Sequence, residues 1–425
     1  MLDLNLYSYT EGVDNMFMVI DLKSFYAACE CSERGLDMFK DFLVVCDKER
    51  SPGSITLAVT PSLKKLGVPS RTRAYDLPQN INIIYAKPRM KMYIQYSKEV
   101  YKCYLNFFSK NDIYMYSIDE AFVDLTPYEL IYPDLIELVK KIQRYIYDKL
   151  KLVVTAGIGK NMFMAKVALD VISKHSKDFI GYLDDAIFKE KIWPITKLTD
   201  IWSIGPRTQR RLNRLGLFSV KDIALSDPKI LQKEFGILGL ELHDHANGID
   251  ETKLFEAKNV VVKSKSVSEG QILFRDYTKL EAMVVLVEMI DMLTLKLISK
   301  GYIAKGISLY IGYSKDIGSV SKSLTLDSYT SDYQVFLKEF KKMYNQNVLD
   351  LPIRRICISY SNLTNKALNQ LSLFDDVVDN RNENLYLTVS YLKERFGKNS
   401  IIRGISLDKN ANQRQRNTFI GGHSE

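Results

Sequence analysis

The chain has 425 residues, 46% of them hydrophobic and 26% charged. That composition excludes a disordered protein and leaves room for about three domains. Lysine plus arginine outnumber aspartate plus glutamate by 59 to 51, a formal charge of +8, which suits a polyanionic partner but also an ordinary soluble protein. No run is long enough to span a bilayer and no signal pattern opens the chain, so the expected place is the cytoplasm, away from membranes. Five scattered cysteines, Cys29, Cys31, Cys46, Cys103 and Cys357, form no C-x-x-C pair, so neither zinc nor disulfides are expected. His243 and His245 lack a third ligand nearby.

Strand-like runs occur at Met16–Ile20, Ile113–Ser117, Ala121–Leu125 and Val153–Gly157. Between the last two, residues Pro133–Lys151 carry apolar positions at Leu138, Ile142, Tyr145, Ile146 and Leu150, the period of a helix. The order predicts an α+β domain, an antiparallel sheet with helices on one side. Asp21 then ends one strand, and Asp119 with Glu120 forms the turn of a neighbouring hairpin. Three carboxylates on one edge make a hard-oxygen site suited to paired magnesium ions and phosphoryl transfer.

Residues from about 32 to 90 interrupt this domain, with turns at Ser51-Pro52-Gly53 and Gly67-Val68-Pro69 and a basic set of Lys64, Lys65, Arg71 and Arg73. Residues from about 182 to 250 read as short helices. There Ile201-Trp202-Ser203-Ile204-Gly205-Pro206 precedes Arg207, Arg210, Arg211 and Arg214, a turn able to hold a phosphate through backbone N–H groups. Residues from about 258 to 363 read as a second α/β unit. Ile307, Leu309, Ile311 and Tyr313 alternate, as do Ile356, Ile358 and Tyr360, and a helix covers roughly Leu280–Ser299 with Gly301 as its stop. Lys258, Lys263, Lys265, Lys305, Lys315 and Lys322 predict a charged strand surface. In the tail a helix is expected with Leu385, Val389, Leu392 and Phe396 on one face and Gly397 at its end. Residues Asn410–Glu425 are expected to be polar and mobile.

Several motifs, in order, resemble those of Y-family translesion DNA polymerases, nearest to the UmuC-like branch and its Gram-positive UV-damage-repair members. They are Asp21-Leu22-Lys23-Ser24-Phe25-Tyr26-Ala27, Ser117-Ile118-Asp119-Glu120-Ala121-Phe122, Gly157-Ile158-Gly159-Lys160-Asn161 with Ala165-Lys166, and Trp202-Ser203-Ile204-Gly205. Gln370-Leu371-Ser372-Leu373-Phe374 and Ile420-Gly421-Gly422-His423 follow. The resemblance covers nearly the whole chain. It implies a multidomain right-hand α+β architecture: a ferredoxin-like palm from residues 1–31 and 91–181, small fingers inserted at 32–90, a helical thumb at 182–250 with a helix-hairpin-helix-like turn, an α/β little finger at 258–363, and a tail at 364–425.

The same resemblance implies roles. Asp21, Asp119, Glu120 and the carbonyl of Leu22 would hold two Mg2+ ions, one activating the primer 3′-hydroxyl and the other neutralising the triphosphate. Tyr26 falls at the steric-gate position that excludes a ribose 2′-hydroxyl. Phe25, Tyr26, Lys64 and Lys160 would line the nucleotide site, although Phe25 reads equally as core. Pro61 and Lys64 stand where many relatives carry tyrosine and arginine. Ile204, Gly205, Arg207, Lys263 and Lys265 would contact DNA. Gln370, Leu371, Ser372, Leu373 and Phe374 resemble a peptide that binds the bacterial sliding clamp. The implied activity is template-directed DNA synthesis past damaged bases, in DNA repair and the SOS response, by a monomer. Its partners would be primer–template DNA, a dNTP and the clamp, with a recombinase filament or accessory subunit as a further possibility. The alternatives are a catalytically weak, clamp-tethered DNA-binding adaptor and a nucleotidyl cyclase on a related palm. An adaptor would be expected to lose metal ligands, and a cyclase leaves the turn, the basic unit and the clamp peptide unexplained.

Overall fold

The computed structural model describes residues 15–48, 53–260, 266–314, 317–366, 381–420 and 423–424. The clamp-like peptide Gln370–Phe374, together with Lys263, Lys265 and Lys315, lies outside them. The chain divides into two units, Met1–Val260 with His423–Glu425, and Val261–Gly422.

The first unit is built on a five-stranded sheet. In chain order its elements are β1 (Phe17–Leu22), α1 (Phe25–Arg34), β2 (Leu43–Val45), β3 (Ala58–Val59), α2 (Pro61–Lys65), β4 (Ile84–Ala86), α3 (Met90–Tyr104), β5 (Ile113–Met115), β6 (Glu120–Asp124), α4 (Leu135–Leu150), β7 (Val154–Gly159), α5 (Met162–Val167) and β8 (Ile180–Leu183). The large sheet runs β5-β6-β1-β7-β8, and β3-β2-β4 form a separate small sheet inside the insertion. All pairings of the large sheet are antiparallel except β7 with β8. Helices on one side were expected, but both faces of β1 are covered. Phe17 and Val19 pack with Met162, Ala165 and Leu169, while Met18, Ile20 and Leu22 on the opposite face are equally buried. A central strand apolar at every position signals burial on two faces.

The glycines of the Gly157-Ile158-Gly159 motif have a packing reason. A Cβ on Gly157 would sit 2.2 Å from the Leu169 nitrogen and 2.3 Å from the Ala165 carbonyl oxygen, and one on Gly159 would sit 2.7 Å from the Ala165 nitrogen. Bare backbone lets α5 press onto β7, and α5 carries a residue of the site described below. Short helices complete the unit: α6 (Asp185–Lys191), α7 (Pro206–Arg214), α8 (Val220–Leu225), α9 (Pro228–Phe235), α10 (Ile237–Ala246) and α11 (Leu254–Lys258). Lys258 belongs here rather than to the second unit, and its amine donates to the Lys110 carbonyl at 2.6 Å.

The second unit runs β9 (Ser266–Tyr277), α12 (Lys279–Ser299), β10 (Tyr302–Tyr313), β11 (Ser319–Thr330), α13 (Tyr333–Asn347) and β12 (Ile353–Asn365). Its sheet is ordered β11-β10-β12-β9, antiparallel throughout. Ile307, Leu309, Ile311, Ile356, Ile358 and Tyr360 form the core with α12 and α13, as their alternation predicted. Thr278 and Glu281 close a capping box at the start of α12, and Gly301 ends it at φ +71°.

The tail departs from expectation twice. On α14 (Arg381–Phe396), Tyr386 and Val389 pack on the core while Leu385 and Phe396 are exposed. The core is already closed by α12 and α13, so α14 docks through a mixed contact: Arg403 pairs with Asp291, bonds the Tyr386 hydroxyl and lies 4.0 Å from the Tyr333 ring. The polar stretch after Asn410 is not loose over its described part. The backbone N–H groups of Asn412 and Gln413, which begin α15 (Gln413–Arg416), donate to the buried Glu288 carboxylate at 2.9 and 3.2 Å. Backbone N–H groups that bond one oxygen of a buried carboxylate carry no apolar signal, which is why composition does not show them.

Substituting Gly157→Ala is expected to destabilise the protein by about 3 kcal/mol, because the clash is with backbone that has no rotamer to yield. Urea unfolding of the purified variant checks this.

Candidate active site

The sheet brings the three carboxylates together through backbone pairing. Asp21 stands opposite Glu120 in the β1–β6 register and opposite Thr155 in the β1–β7 register. The Leu22 N–H donates to the Asp119 carbonyl at 3.0 Å, which ties the turn before β6 to the end of β1. Within that turn the Ser117 hydroxyl donates to Asp119 Oδ1 at 2.7 Å, and both Tyr116 and Ser117 N–H groups donate to the Glu120 carbonyl. Thr155 Oγ1 lies 3.4 Å from Asp21 Oδ2.

This convergence has an electrostatic cost. Burial, then the charges of Asp119 and Glu120, push the Asp21 carboxyl up to about 7. The cations acting on it most are Lys166 and Lys174. Lys166, on α5, lies 2.7 Å from Glu120 Oε1 and 3.3 Å from Asp170; the Lys166 and Glu120 side chains are only 10% and 12% exposed. Glu120 is still held above the usual carboxylate range, because burial outweighs that partner. Glu120 therefore turns to a lysine. Among the described residues no three His, Cys, Asp or Glu side chains stand close enough to enclose an ion unaided. The donor set is nevertheless all hard oxygen and carries negative charge that one ammonium leaves unbalanced, so a divalent cation fits it.

The turn from β1 into α1 places the next residues. Ser24 is left-handed (φ 51°, ψ 44°), a conformation that costs a non-glycine residue on the order of 1 kcal/mol and makes the strand-to-helix turn sharp. Tyr26 lies just beyond it, half-buried, with its ring 4.7 Å from the Tyr93 ring and tilted 29° to it. Burial and then Asp119 raise the Tyr26 hydroxyl, against the opposing charge of Arg71 in the insertion. Phe25 is only 3% exposed and belongs to the core. Arg73 is committed to the Gly53 carbonyl at 2.7 Å.

Beside the acids lies a cluster of lysines that the sequence reading only partly named. Lys64 projects from α2, whose first residue is Pro61, the position where proline best fits a helix start. Loss of water and then repulsion from Lys23 hold Lys64 below its usual range. Lys23 is likewise lowered, by burial and by Lys174 and Lys65 against the pull of Asp21, and its amine lies 4.6 Å from the Phe179 ring. Lys160, by contrast, pairs with Asp185. Lys23, Lys166 and Lys174 were missed as site residues; Lys166 was visible only as part of the Ala165-Lys166 motif.

Neighbouring elements lock this edge. Asn161 caps α5 by accepting from the Met164 N–H at 2.8 Å, and its amide donates to the Gly248 carbonyl at 2.8 Å; Asp250 accepts from the Phe163 N–H at 3.0 Å. Trp202 packs against Phe122, Tyr116 and Phe163, which fixes the following turn to the sheet. Ser203 there has φ +72°, the reason such a turn favours glycine. Ile204 is buried, Gly205 and Arg207 are exposed, and Arg211 is used internally by Glu234 and the Phe235 ring.

In the second unit, the described residues of the sheet's open face are rich in serine. Ser266, Ser268, Ser308, Ser321, Ser323 and Ser359 share it by register with Tyr310 and Arg355, whereas Lys322, paired with Leu309 on the edge strand β11, takes the other face and is exposed. Lys305 lies 5.8 Å from the Tyr329 ring.

The fold is that of the Y-family DNA polymerases. It matches the Y-family DNA polymerase chimera Dbh-Dpo4(243-245)-Dbh with a TM-score of 0.64 over 82% of this chain and 98% of that one, at 23% identity. The Dbh DNA polymerase of an insertion ternary complex matches with a TM-score of 0.52 over the same shares. Residues 20–170 match the impB/mucB/samB family, 264–373 its C-terminal domain, and 184–217 the IMS family HHH motif. Over 98% of its length the chain is 32% identical to the whole of a Bacillus subtilis (strain 168) protein whose designation, UV-damage repair protein UvrX, is provisional. It is 27% identical over 96% of its length to 99% of DNA polymerase IV 2 of the same organism. The chain belongs to the impB/mucB/samB family of Y-family DNA-repair polymerases.

Replacing Lys166 with methionine leaves Glu120 without its counter-charge and is expected to cost about 3 kcal/mol in urea unfolding. Adding Glu120→Gln should recover part of that loss, since the pair is then removed together.

Proposed function

We propose that the protein is a template-directed DNA polymerase of the translesion type, adding deoxynucleotides to a primer 3′ end opposite damaged bases. The observation that carries this reading is the juxtaposition of two unbalanced charges. Burial and then the neighbouring carboxylates raise Asp21 to about 7, while burial and then neighbouring ammonium groups lower Lys23 and Lys64 beside it. A nucleoside triphosphate with its magnesium answers both at once.

Asp21, Asp119, Glu120 and the Leu22 carbonyl would hold two Mg2+ ions, which supply a more acidic primer 3′-hydroxyl and neutralise the departing pyrophosphate. Lys23, Lys64 and Lys174 would bind the triphosphate oxygens, a point-charge role for which lysine serves well. Lys166 holds Glu120 in place, ready to exchange that carboxylate to a stronger cation. Lys160, which pairs with Asp185 at the surface, would join Lys23, Lys64 and Lys174 once the triphosphate competes for its amine. The Tyr26 ring would pack under the sugar and leave no room for a 2′-hydroxyl, so the substrate is a dNTP.

DNA would meet the Gly205–Arg207 turn through backbone N–H groups and arginine, without reading sequence. The serine-lined sheet face with Arg355 offers short hydroxyl donors to phosphates, and Lys263 and Lys265 belong to the same proposed contact. The peptide Gln370–Phe374 would dock on a sliding clamp and raise the local concentration of the enzyme at DNA. The setting is DNA repair and the SOS response in the cytoplasm, with a recombinase filament or accessory subunit as a further partner. Among the described residues no helix is long and apolar enough to cross a membrane.

The variant Asp119→Ala with Glu120→Ala is expected to lose primer extension by at least about a thousandfold while binding primer–template DNA near the parental affinity. Gel-based extension and fluorescence anisotropy measure the two. Full extension by that variant removes the acidic edge from the chemistry, and an inactive parent that still binds DNA favours the adaptor.

A further inference from the structure

Tyr26 does not stand alone. Tyr26 and Glu30 lie four residues apart on α1 and so share one face. Tyr93, on α3, touches both: its ring stacks on Tyr26 at 4.7 Å and its hydroxyl donates to Glu30 Oε1 at 2.8 Å. Glu30 and Tyr93 are both fully buried, with 0% exposure. A carboxylate in such a place is very costly unless each oxygen is satisfied. Here Arg89 forks onto it at 2.9 and 2.7 Å, and Arg34 donates to Oε2 at 3.2 and 2.9 Å. Burial alone would raise the Glu30 carboxyl, but Arg89, Tyr93 and Arg34 together hold it below the usual range.

The connectivity gives this cluster a task. The inserted subdomain with β2, β3 and β4 leaves the sheet domain after α1 and returns just before Arg89 and α3. Glu30 therefore binds the outgoing segment to the incoming one, beneath Tyr26. The side of the Tyr26 ring facing Tyr93 is closed by a ring that cannot itself retreat, because Glu30 holds its hydroxyl. Steric exclusion of one hydroxyl depends on a wall that does not yield by a fraction of an ångström.

We infer that Tyr93 and Glu30 are positioning residues that brace Tyr26, and that their contact sets how strictly a ribonucleotide is refused. This rests on the polymerase reading above. The cluster touches no reacting atom, so its loss should alter sugar choice more than the rate with the correct nucleotide.

The test is single-nucleotide primer extension with dCTP and with CTP, comparing kcat/KM for the two, on the full chain. Tyr93→Leu removes the stack and should lower the dCTP/CTP ratio by about tenfold or more while changing kcat/KM for dCTP by less. Tyr93→Phe keeps the ring but frees it from Glu30, and should lower the ratio by about threefold. In a Tyr26→Ala background, which should itself admit ribonucleotides, adding Tyr93→Leu should change the ratio no further, a coupling that general destabilisation would not produce. A folded Tyr93→Leu that discriminates like the parent overturns the inference, as does an additive effect on Tyr26→Ala. Should Tyr93→Leu not fold, Tyr93→Phe decides, and an unchanged ratio in it is equally fatal. A parent that extends no primer refutes the polymerase reading instead, so the two failures are separable.

Discussion

The register of β1 between β6 and β7 is the constraint on which the rest depends. Pairing Asp21 with Glu120, and tying Leu22 to Asp119 through the backbone, leaves three carboxylates no choice but to share one edge. Side-chain rotamers do not have to find one another, because the sheet has already placed them. Burial and then the resulting repulsion raise Asp21 to about 7, a cost that the apolar floor of the sheet must offset. Met18, Val19 and Ile20, all 0% exposed, supply that floor immediately before the acid.

Around this edge the protein layers positive charge at two depths. Lys166 is almost enclosed and pairs with Glu120, while Lys23, Lys64 and Lys174 exert their fields across the mouth. Helix α5 links this arrangement to the helical part of the first unit. Its glycine-packed seat on β7, its Asn161 cap bonded to Gly248, and the Asp250 contact at Phe163 all act on the helix that carries Lys166. The Gly157–Asn161 motif thus sets a distance between backbone layers, and Lys160 within it faces Asp185.

Much of the centre was legible because its signals are local. A strand ending in Asp21, an acidic hairpin turn, alternating strands in the second unit and a proline-led turn before Arg207 are patterns within a few residues. What was not legible depends on partners far apart in sequence. Lys166 and Lys174 become site residues only once the segment after β7 folds back over β1 and β7, and the pairing of Glu30 with Tyr93 spans 63 positions. Lys322 is exposed as expected, but period alone did not say that it lies on the opposite face of its strand from the serines. The polar tail hid its anchoring to Glu288 for the complementary reason, since hydrogen bonding to a buried carboxylate looks like solvation in a sequence.

The central claim is that the edge formed by Asp21, Asp119 and Glu120 is where metal meets triphosphate. Anomalous diffraction from crystals grown with Mn2+, primer–template DNA and a non-reactive dNTP analogue addresses it directly. The account predicts two manganese peaks in direct coordination with oxygens of all three carboxylates, with Glu120 drawn away from Lys166. Triphosphate density held elsewhere, or bound nucleotide with the Glu120–Lys166 pair intact and no metal on Asp21, would contradict it.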